Sequence, residues 1–131
     1  MIVVVDASAV IDLLLRTDGA LELRRRLLQR FQALHAPHLI DLEVLQFIRR
    51  QRLDGNMDDD RAEDAIADHR ALPIKRYPHY ALLPRVWTLR DNFTAYDAVY
   101  VALADSLQAT LITTDFRLAK AAARFVDVET P

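Results

Sequence analysis

The run Ile2-Val3-Val4-Val5, followed directly by Asp6, constrains the fold of this chain more than any other segment. The run is β-branched and uninterrupted, whereas a strand with one face in water would alternate apolar and polar residues. Such a run is typical of a strand buried on both faces of a parallel sheet. The acid at its end therefore predicts a strand that stops at the edge of the sheet, where the chain turns into a helix.

The rest of the chain alternates between short apolar runs and helical patterns. Further strands are predicted at Ala33 to Ala36, Leu72 to Tyr77, Thr110 to Thr113 and Val126 to Val128. Helices are predicted at Ser8 to Leu15, Asp18 to Arg30, Pro37 to Ile48 with Pro37 in its first turn, Asp58 to Arg70, His79 to Leu89 with an interruption or start near Pro84, Thr94 to Leu107 and Phe116 to Arg124. Strands that alternate with helices are typical of βαβ units. We therefore predict an α/β fold, a three-layer α/β/α sandwich with a mainly parallel central sheet, in one domain over residues 1–131.

Composition and local pattern exclude several classes of protein. The chain has no cysteine, so it has neither a disulfide framework nor a thiolate zinc site. No glycine-rich phosphate loop is present, and the histidines, expected at the surface, lack metal-ligand spacing. The first apolar run is too short for a signal segment or a membrane span, so we expect a cytoplasmic protein without membrane association. The net charge of -2 gives no global positive field, so any contact with nucleic acid has to be local.

Several acids stand where strands or helices would bring them to one edge of the predicted sheet. Asp6 and Asp115 each come directly after a predicted strand. Asp97 lies one turn into an apolar helix, and Glu43 lies on a helix with apolar neighbours. In parallel α/β sheets, ligands bind at the carboxyl ends of the strands. The positions therefore favour convergence of these carboxylates at one site.

Each acid also has a structural explanation of its own. Asp6 and Asp115 are suited to be the N-caps of the helices that follow them. Asp97 fits a variant capping box at the start of its helix. Glu43 is placed to pair with an arginine later on its own helix, Arg49 or Arg50. Only the shared position at one predicted sheet edge favours a joint site over these separate explanations.

A joint site would need a cation. Carboxylates about 4 Å apart repel each other by roughly 4 kcal/mol per pair at an effective dielectric near 20. Ligation by oxygen alone favours hard ions, so Mg²⁺ or Mn²⁺ is expected, and a phosphate ester is the natural substrate. Ser8 beside Asp6 and Thr113 beside Asp115 add hydroxyls that are suited to position a water or a phosphate oxygen.

At these residues the sequence resembles the PIN-domain ribonucleases, and within them the VapC toxins of bacterial type II toxin–antitoxin pairs. The resemblance covers the whole chain and rests on the segments Val3 to Val10, Asp41 to Val44, Thr94 to Ala104 and Leu111 to Ala119. It implies an acidic quartet that binds Mg²⁺ or Mn²⁺ and catalyses endonucleolytic cleavage of RNA. The members of the acidic quartet are Asp6, Glu43, Asp97 and Asp115. Ser8 and Thr113 match the family's supporting hydroxyl positions.

The resemblance also implies partners. Family members inhibit translation, form homodimers, and bind a cognate VapB-like antitoxin in a heterotetramer or larger assembly. The first two predicted helices offer apolar side chains for such a partner, although core packing explains them as well: Leu13, Leu14, Leu23, Leu27 and Phe31. Basic residues that follow two of the acids are candidates for RNA contact: Arg49, Arg50, Arg52, Arg117, Lys120 and Arg124.

Two other functions stay open at this stage. One is a PIN-type nuclease that acts in RNA processing without an antitoxin. The other, from a different class, is an Mg²⁺-binding signalling module of the receiver type, which also places acids at strand ends. A receiver needs a lysine after a late strand, and the segment Asp115-Phe116-Arg117 has none.

Overall fold

The computed structural model describes residues 2–15, 18–30 and 32–131. The strands are β1 (Ile2–Val5), β2 (Ala33–Pro37), β3 (Ile74–Tyr77), β4 (Thr110–Ile112) and β5 (Val128–Glu129). The helices are α1 (Ala7–Leu15), α2 (Ala20–Leu27), α3 (Leu39–Leu53), α4 (Asp59–Ala71), α5 (Leu83–Thr88), α6 (Ala95–Leu107) and α7 (Phe116–Ala122), with a 3-10 turn at Tyr80–Leu82 before α5. The predicted α/β sandwich with a parallel central sheet is confirmed.

The strand order determines where a ligand can bind. In the described part of the chain, the strands form a parallel sheet in the order β3-β2-β1-β4-β5. The chain builds outward from β1 to β3 and then crosses back to place β4 on the other side of β1. Ligands of such sheets bind at this switch point, between the carboxyl ends of β1 and β4. Receiver modules have the order 2-1-3-4-5 instead, so the receiver alternative is excluded.

The first strand is as buried as its sequence predicts. Val3, Val4 and Val5 are each 0% exposed. Helix α6 packs against β1, β2 and β4, and its residues from Ala98 to Ala104 are all buried. Because this buried stretch covers every side of the helix, the middle of α6 lies in the interior, and its first turn is fixed next to the switch point. No helix in the part of the chain that the structure describes is long and apolar enough to cross a membrane.

Some predicted boundaries were wrong. Pro37 is the last residue of β2, and α3 begins at Leu39. Strands β1 and β2 are paired only as far as Val4 with His35. Pro37 lies beyond this last pair, so its missing N–H removes no hydrogen bond between β1 and β2. Helix α2 is shorter than predicted at both ends, because it begins at Ala20 and ends at Leu27. The last strand lies later than predicted, at Val128–Glu129.

The sequence left two explanations open for the apolar side chains of the first two helices, a partner surface or core packing, and the structure supports core packing. Leu13, Leu14, Leu23 and Leu27 are buried, and the most exposed of them, Leu13, shows only 7% of its surface. These side chains are buried because α1 packs against α2, α3 and α4. The remaining member of the set, Phe31, lies outside the described residues.

Two histidines are buried, although surface positions were predicted. His69 Nε2 lies 2.7 Å from Oδ1 of Asp41, which also accepts a hydrogen bond from Arg76. His35 Nδ1 lies 2.6 Å from the hydroxyl of Tyr77. Polar partners from neighbouring elements make this burial possible, and spacing along the sequence does not reveal them.

Candidate active site

The structure brings all members of the acidic quartet to one cleft at the switch point. This cleft, which we call the acid cleft, has a volume of about 640 Å³. Asp6 follows β1, Asp115 follows β4, Glu43 lies on α3 and Asp97 lies in the first turn of α6. Four acids from four separate parts of the chain therefore line a single cavity.

Asp6 is buried, and both of its carboxylate oxygens accept hydrogen bonds. Its backbone N–H donates to the carbonyl of Ile112 at 3.2 Å, which continues the pairing of β1 with β4. Its Oδ1 accepts from the Ser8 hydroxyl at 2.8 Å and from the N–H of Ala9 at 3.2 Å. Its Oδ2 accepts from the Thr113 hydroxyl at 2.9 Å. Asp6 thus caps α1, as its position before a predicted helix suggested, and it also lines the acid cleft.

The hydroxyls of Ser8 and Thr113 link the two strand ends. They lie 3.1 Å apart, and both donate to Asp6. Ser8 also accepts from the N–H of Thr114 at 3.1 Å, and Thr113 accepts from the N–H of Asp115 at 3.0 Å. The two predicted supporting hydroxyls therefore hold the loop after β4 against the start of α1, which fixes the spacing between the two strand-end acids.

Asp115 and Asp97 differ in how much structure depends on them. Oδ1 of Asp115 caps α7 by accepting from the N–H groups of Arg117 and Leu118 at 3.0 and 3.1 Å. For Asp97, the cap of α6 is made by the Thr94 hydroxyl, which accepts from the backbone N–H of Asp97. Within the described residues, the carboxylate of Asp97 has no hydrogen bond, and its nearest cation is Arg117 at 3.9 Å.

Glu43 has a partner that sequence reasoning missed. The buried hydroxyl of Tyr100 donates to Oε1 of Glu43 at 2.5 Å, whereas an ion pair with Arg49 or Arg50 had been considered. Burial and the nearby carboxylates raise the pKa of Tyr100, so its hydroxyl stays neutral and acts as a donor. Tyr100 lies one turn after Asp97 on α6, and this spacing was the available signal in the sequence.

The quartet lies in an electrostatically unfavourable position. Burial raises the pKa of Asp6 to about 6, and the charge of Asp115 adds to this rise, while its three hydrogen-bond donors oppose it. Burial also raises the pKa of Asp97, again with a contribution from Asp115. The pKa of Glu43 is raised by burial and by the charge of Asp97, against the hydrogen bond from Tyr100. Each acid therefore repels at least one other member, and the charge of Arg117 opposes the rise of the pKa only at Asp97.

The donor set of the acid cleft suits a hard divalent cation. Carboxylates and hydroxyls line it, and neither histidine nor cysteine does. Within the described residues, no three acidic or imidazole side chains are close enough together to enclose an ion by themselves. Mg²⁺ is usually bound through one or two carboxylates and keeps several waters, so this wider arrangement fits a partly hydrated ion.

Known proteins resemble this chain in sequence and in fold. The chain matches the PIN domain family over residues 3–124. It is 40% identical to the VapC ribonuclease Mb0985 of Mycobacterium bovis over 116 residues, which cover 88% of this chain and 87% of that protein.

Solved structures with lower identity share the fold. VapC20 of Mycobacterium tuberculosis, a Sarcin-Ricin loop cleaving toxin, superposes with a TM-score of 0.72 at 15% identity, over 98% of this chain and 99% of that one. A chain of VapBC2 from Rickettsia felis, bound to a DNA fragment from its promoter, gives a TM-score of 0.70 at 13% identity, over 98% of both chains. With the family match and the curated relative, these findings place the chain in the PIN domain family, among the VapC ribonucleases.

Proposed function

We propose that this chain is an Mg²⁺- or Mn²⁺-dependent endoribonuclease toxin that hydrolyses RNA phosphodiester bonds and thereby inhibits translation. The observation that carries the proposal is the convergence of the acidic quartet in one cleft at the switch point of the sheet. Mutual repulsion within the quartet is relieved when a cation binds, and RNA cleavage is the activity named for the relative that is 40% identical.

The side chains of the cleft have separate roles in this proposal. The quartet holds the cation, which when bound supplies positive charge to the phosphoryl oxygens and activates a water for attack. Ser8 and Thr113 fix both oxygens of Asp6, so this ligand needs no reorganisation. Tyr100 fixes Glu43 in the same way. Asp97 has no hydrogen bond to break among the described residues and is free to meet the ion.

A protein partner is part of the proposal. The VapBC2 structure from Rickettsia felis contains a related fold, and by analogy we propose a VapB-like antitoxin for this chain. Homodimer formation and a heterotetramer with the antitoxin stay predictions from the family resemblance. A PIN-type nuclease without an antitoxin is the alternative, and co-expression with the product of the neighbouring gene separates the two. Relief of growth inhibition by that product supports the toxin.

The test of the activity is cleavage of an end-labelled single-stranded RNA by the purified chain. We expect cleavage with Mg²⁺ or Mn²⁺, no cleavage with EDTA, and recovery when the metal is restored. The new ends should carry a 5′-phosphate and a 3′-hydroxyl, because a water attacks the phosphorus in line and the 3′-oxygen leaves. Equal cleavage in EDTA, or products with 2′,3′-cyclic phosphate ends, would contradict the proposal.

A further inference from the structure

We infer that the acid cleft and a pocket beside it form one track for a single-stranded segment of RNA. In this track Arg50 binds a backbone phosphate at one end, Arg90 and Arg117 bind phosphates at the other, and Tyr96 stacks on a base between them. The inference rests on the proposed function and adds the form of the substrate and the residues that bind it away from the cleaved bond.

The first end of the track lies on α3. The cleft-facing side of this helix consists of residues at helical spacing: Leu39, Leu42, Glu43, Gln46, Phe47 and Arg50. Arg50 follows Glu43 by two turns, about 10 Å along the helix axis, so it lies on the same face. Its side chain is exposed and has no ion pair among the described residues. A cation in this position suits a phosphate next to the one that is cleaved.

The structure distinguishes Arg50 from the other basic residues after Glu43. Arg52 is paired with Asp59 at 2.5 Å, and Arg49 does not line the acid cleft. A similar choice occurs after Asp115, where Arg117 lines the neighbouring pocket while Lys120 and Arg124 line neither cavity.

The second end of the track is a smaller cavity, which we call the side pocket. It has a volume of about 330 Å³ and shares Asp97 with the acid cleft, so the two cavities meet at a member of the quartet. Arg90 and Arg117 both line it. Arg90 lies 4.7 Å from the ring centre of Trp87 and donates to the carbonyl of that residue at 3.0 Å, which fixes its direction. Arg117 is 86% exposed and lies only within loose reach of Asp97.

An exposed aromatic residue directly precedes Asp97, the residue that the two cavities share. Tyr96 lines the acid cleft, directly precedes Asp97, and is 65% exposed. Phe47 on α3 lines the same cleft. Unpaired bases stack on such rings without regard to sequence, whereas the bases of a duplex are already stacked and paired. The track therefore fits a single strand or an opened loop and disfavours an intact duplex.

The test is RNA binding by a protein that does not cut the RNA. In an Asp6→Asn background with Mg²⁺ present, fluorescence anisotropy measures the affinity for a labelled single-stranded RNA at several salt concentrations. We expect Arg50→Gln, Arg90→Gln and Arg117→Gln each to weaken binding and to reduce the salt slope by about 0.7, the value for one lost phosphate contact on a single strand. Tyr96→Ala should weaken binding about tenfold with the salt slope unchanged. All these side chains are exposed, so the variants should unfold at the parent's temperature.

Matched controls test the position of the track. Arg49→Gln removes the same charge from the adjacent position on α3 and should leave binding unchanged. Asp91→Asn removes an acid that also lines the side pocket and should strengthen binding. Arginine variants that behave like Arg49→Gln would overturn the track, as would equal affinity for a duplex of the same length. An Asp6→Asn protein that still cleaves RNA would overturn the proposed function instead, and the affinities would then have to come from the intact substrate in EDTA.

Discussion

Replacing Asp97 by asparagine is expected to lower the rate of RNA cleavage roughly a thousandfold, because a metal centre contributes several kcal/mol to the transition state. The fold should be unaffected. The cap of α6 uses the Thr94 hydroxyl and the backbone N–H of residue 97, and replacing the side chain of residue 97 leaves both groups in place. The carboxylate itself is only half-buried and has just the loose contact with Arg117. Initial rates at saturating Mg²⁺ and urea unfolding of the same preparations measure the two effects.

Asp64→Asn is the matched control for this variant. Asp64 is exposed on α4, does not line the acid cleft, and loses the same charge on substitution. It should cleave RNA at the wild-type rate. If Asp97→Asn kept more than about a tenth of the wild-type rate, the transition state would depend too little on Asp97 for it to be a metal ligand.

Asp6 is expected to destabilise the metal-free protein at neutral pH, even though it is the best hydrogen-bonded member of the quartet. Its pKa is about 6 in the folded protein, against 3.8 for an aspartate in an unfolded chain, and the main cause is burial. The folded state therefore holds this proton more tightly than the unfolded state does. The stability that comes from this tighter proton binding is present below about pH 4 and is lost as the pH rises through 6. The total loss is about 3 kcal/mol.

The variant Asp6→Asn isolates this contribution. Asparagine has the shape of aspartate but no charge, so its stability should not change over this pH range through residue 6. We expect the free energy of unfolding of Asp6→Asn, relative to wild type, to rise by about 2 kcal/mol between pH 4 and pH 7 in EDTA, since part of the total change lies below pH 4. Urea denaturation at each pH measures the difference. Taking this difference cancels the other groups with shifted pKa values, such as His35 and Asp41, which are the same in both proteins.

The truncation Asp6→Ala should behave differently. It removes the acceptor for the Ser8 and Thr113 hydroxyls and for the N–H of Ala9, so it also loses the links between α1 and the loop after β4. We expect Asp6→Ala to be less stable than Asp6→Asn at every pH, because it leaves buried donors without a partner. A difference between wild type and Asp6→Asn that stayed constant with pH would show that Asp6 has an ordinary pKa.

The sequence predicts the main features of this site for a clear physical reason. An uninterrupted β-branched run such as Val3 to Val5 is typical of an interior strand, and parallel strands end at a common edge, so the positions of Asp6 and Asp115 follow from local pattern. The capping roles of these acids also follow from local pattern, and they coexist with the proposed metal role. A single oxygen of Asp115 is enough for its cap.

Other features depend on how elements pack, which spacing along the chain does not determine. Whether Leu13 faces the core or a partner is decided by the contacts of α1 with α2, α3 and α4. The bond between Tyr100 and Glu43 joins residues that are 57 positions apart. The choice of Arg50 over Arg49 depends on the rotation of α3 relative to the cleft, and Arg52 is set aside by its ion pair with Asp59. Tertiary packing therefore accounts for the predictions that were wrong or incomplete.

The central claim is that the acidic quartet holds a divalent cation, and anomalous X-ray diffraction from crystals grown with Mn²⁺ tests it most directly. We predict an anomalous peak inside the acid cleft, at coordination distance from carboxylate oxygens of the quartet, with waters completing the shell. The peak should be lost or much weaker in crystals of Asp97→Asn. An empty acid cleft in crystals of a preparation that cleaves RNA with Mn²⁺, or an equally strong peak in Asp97→Asn, would contradict the account.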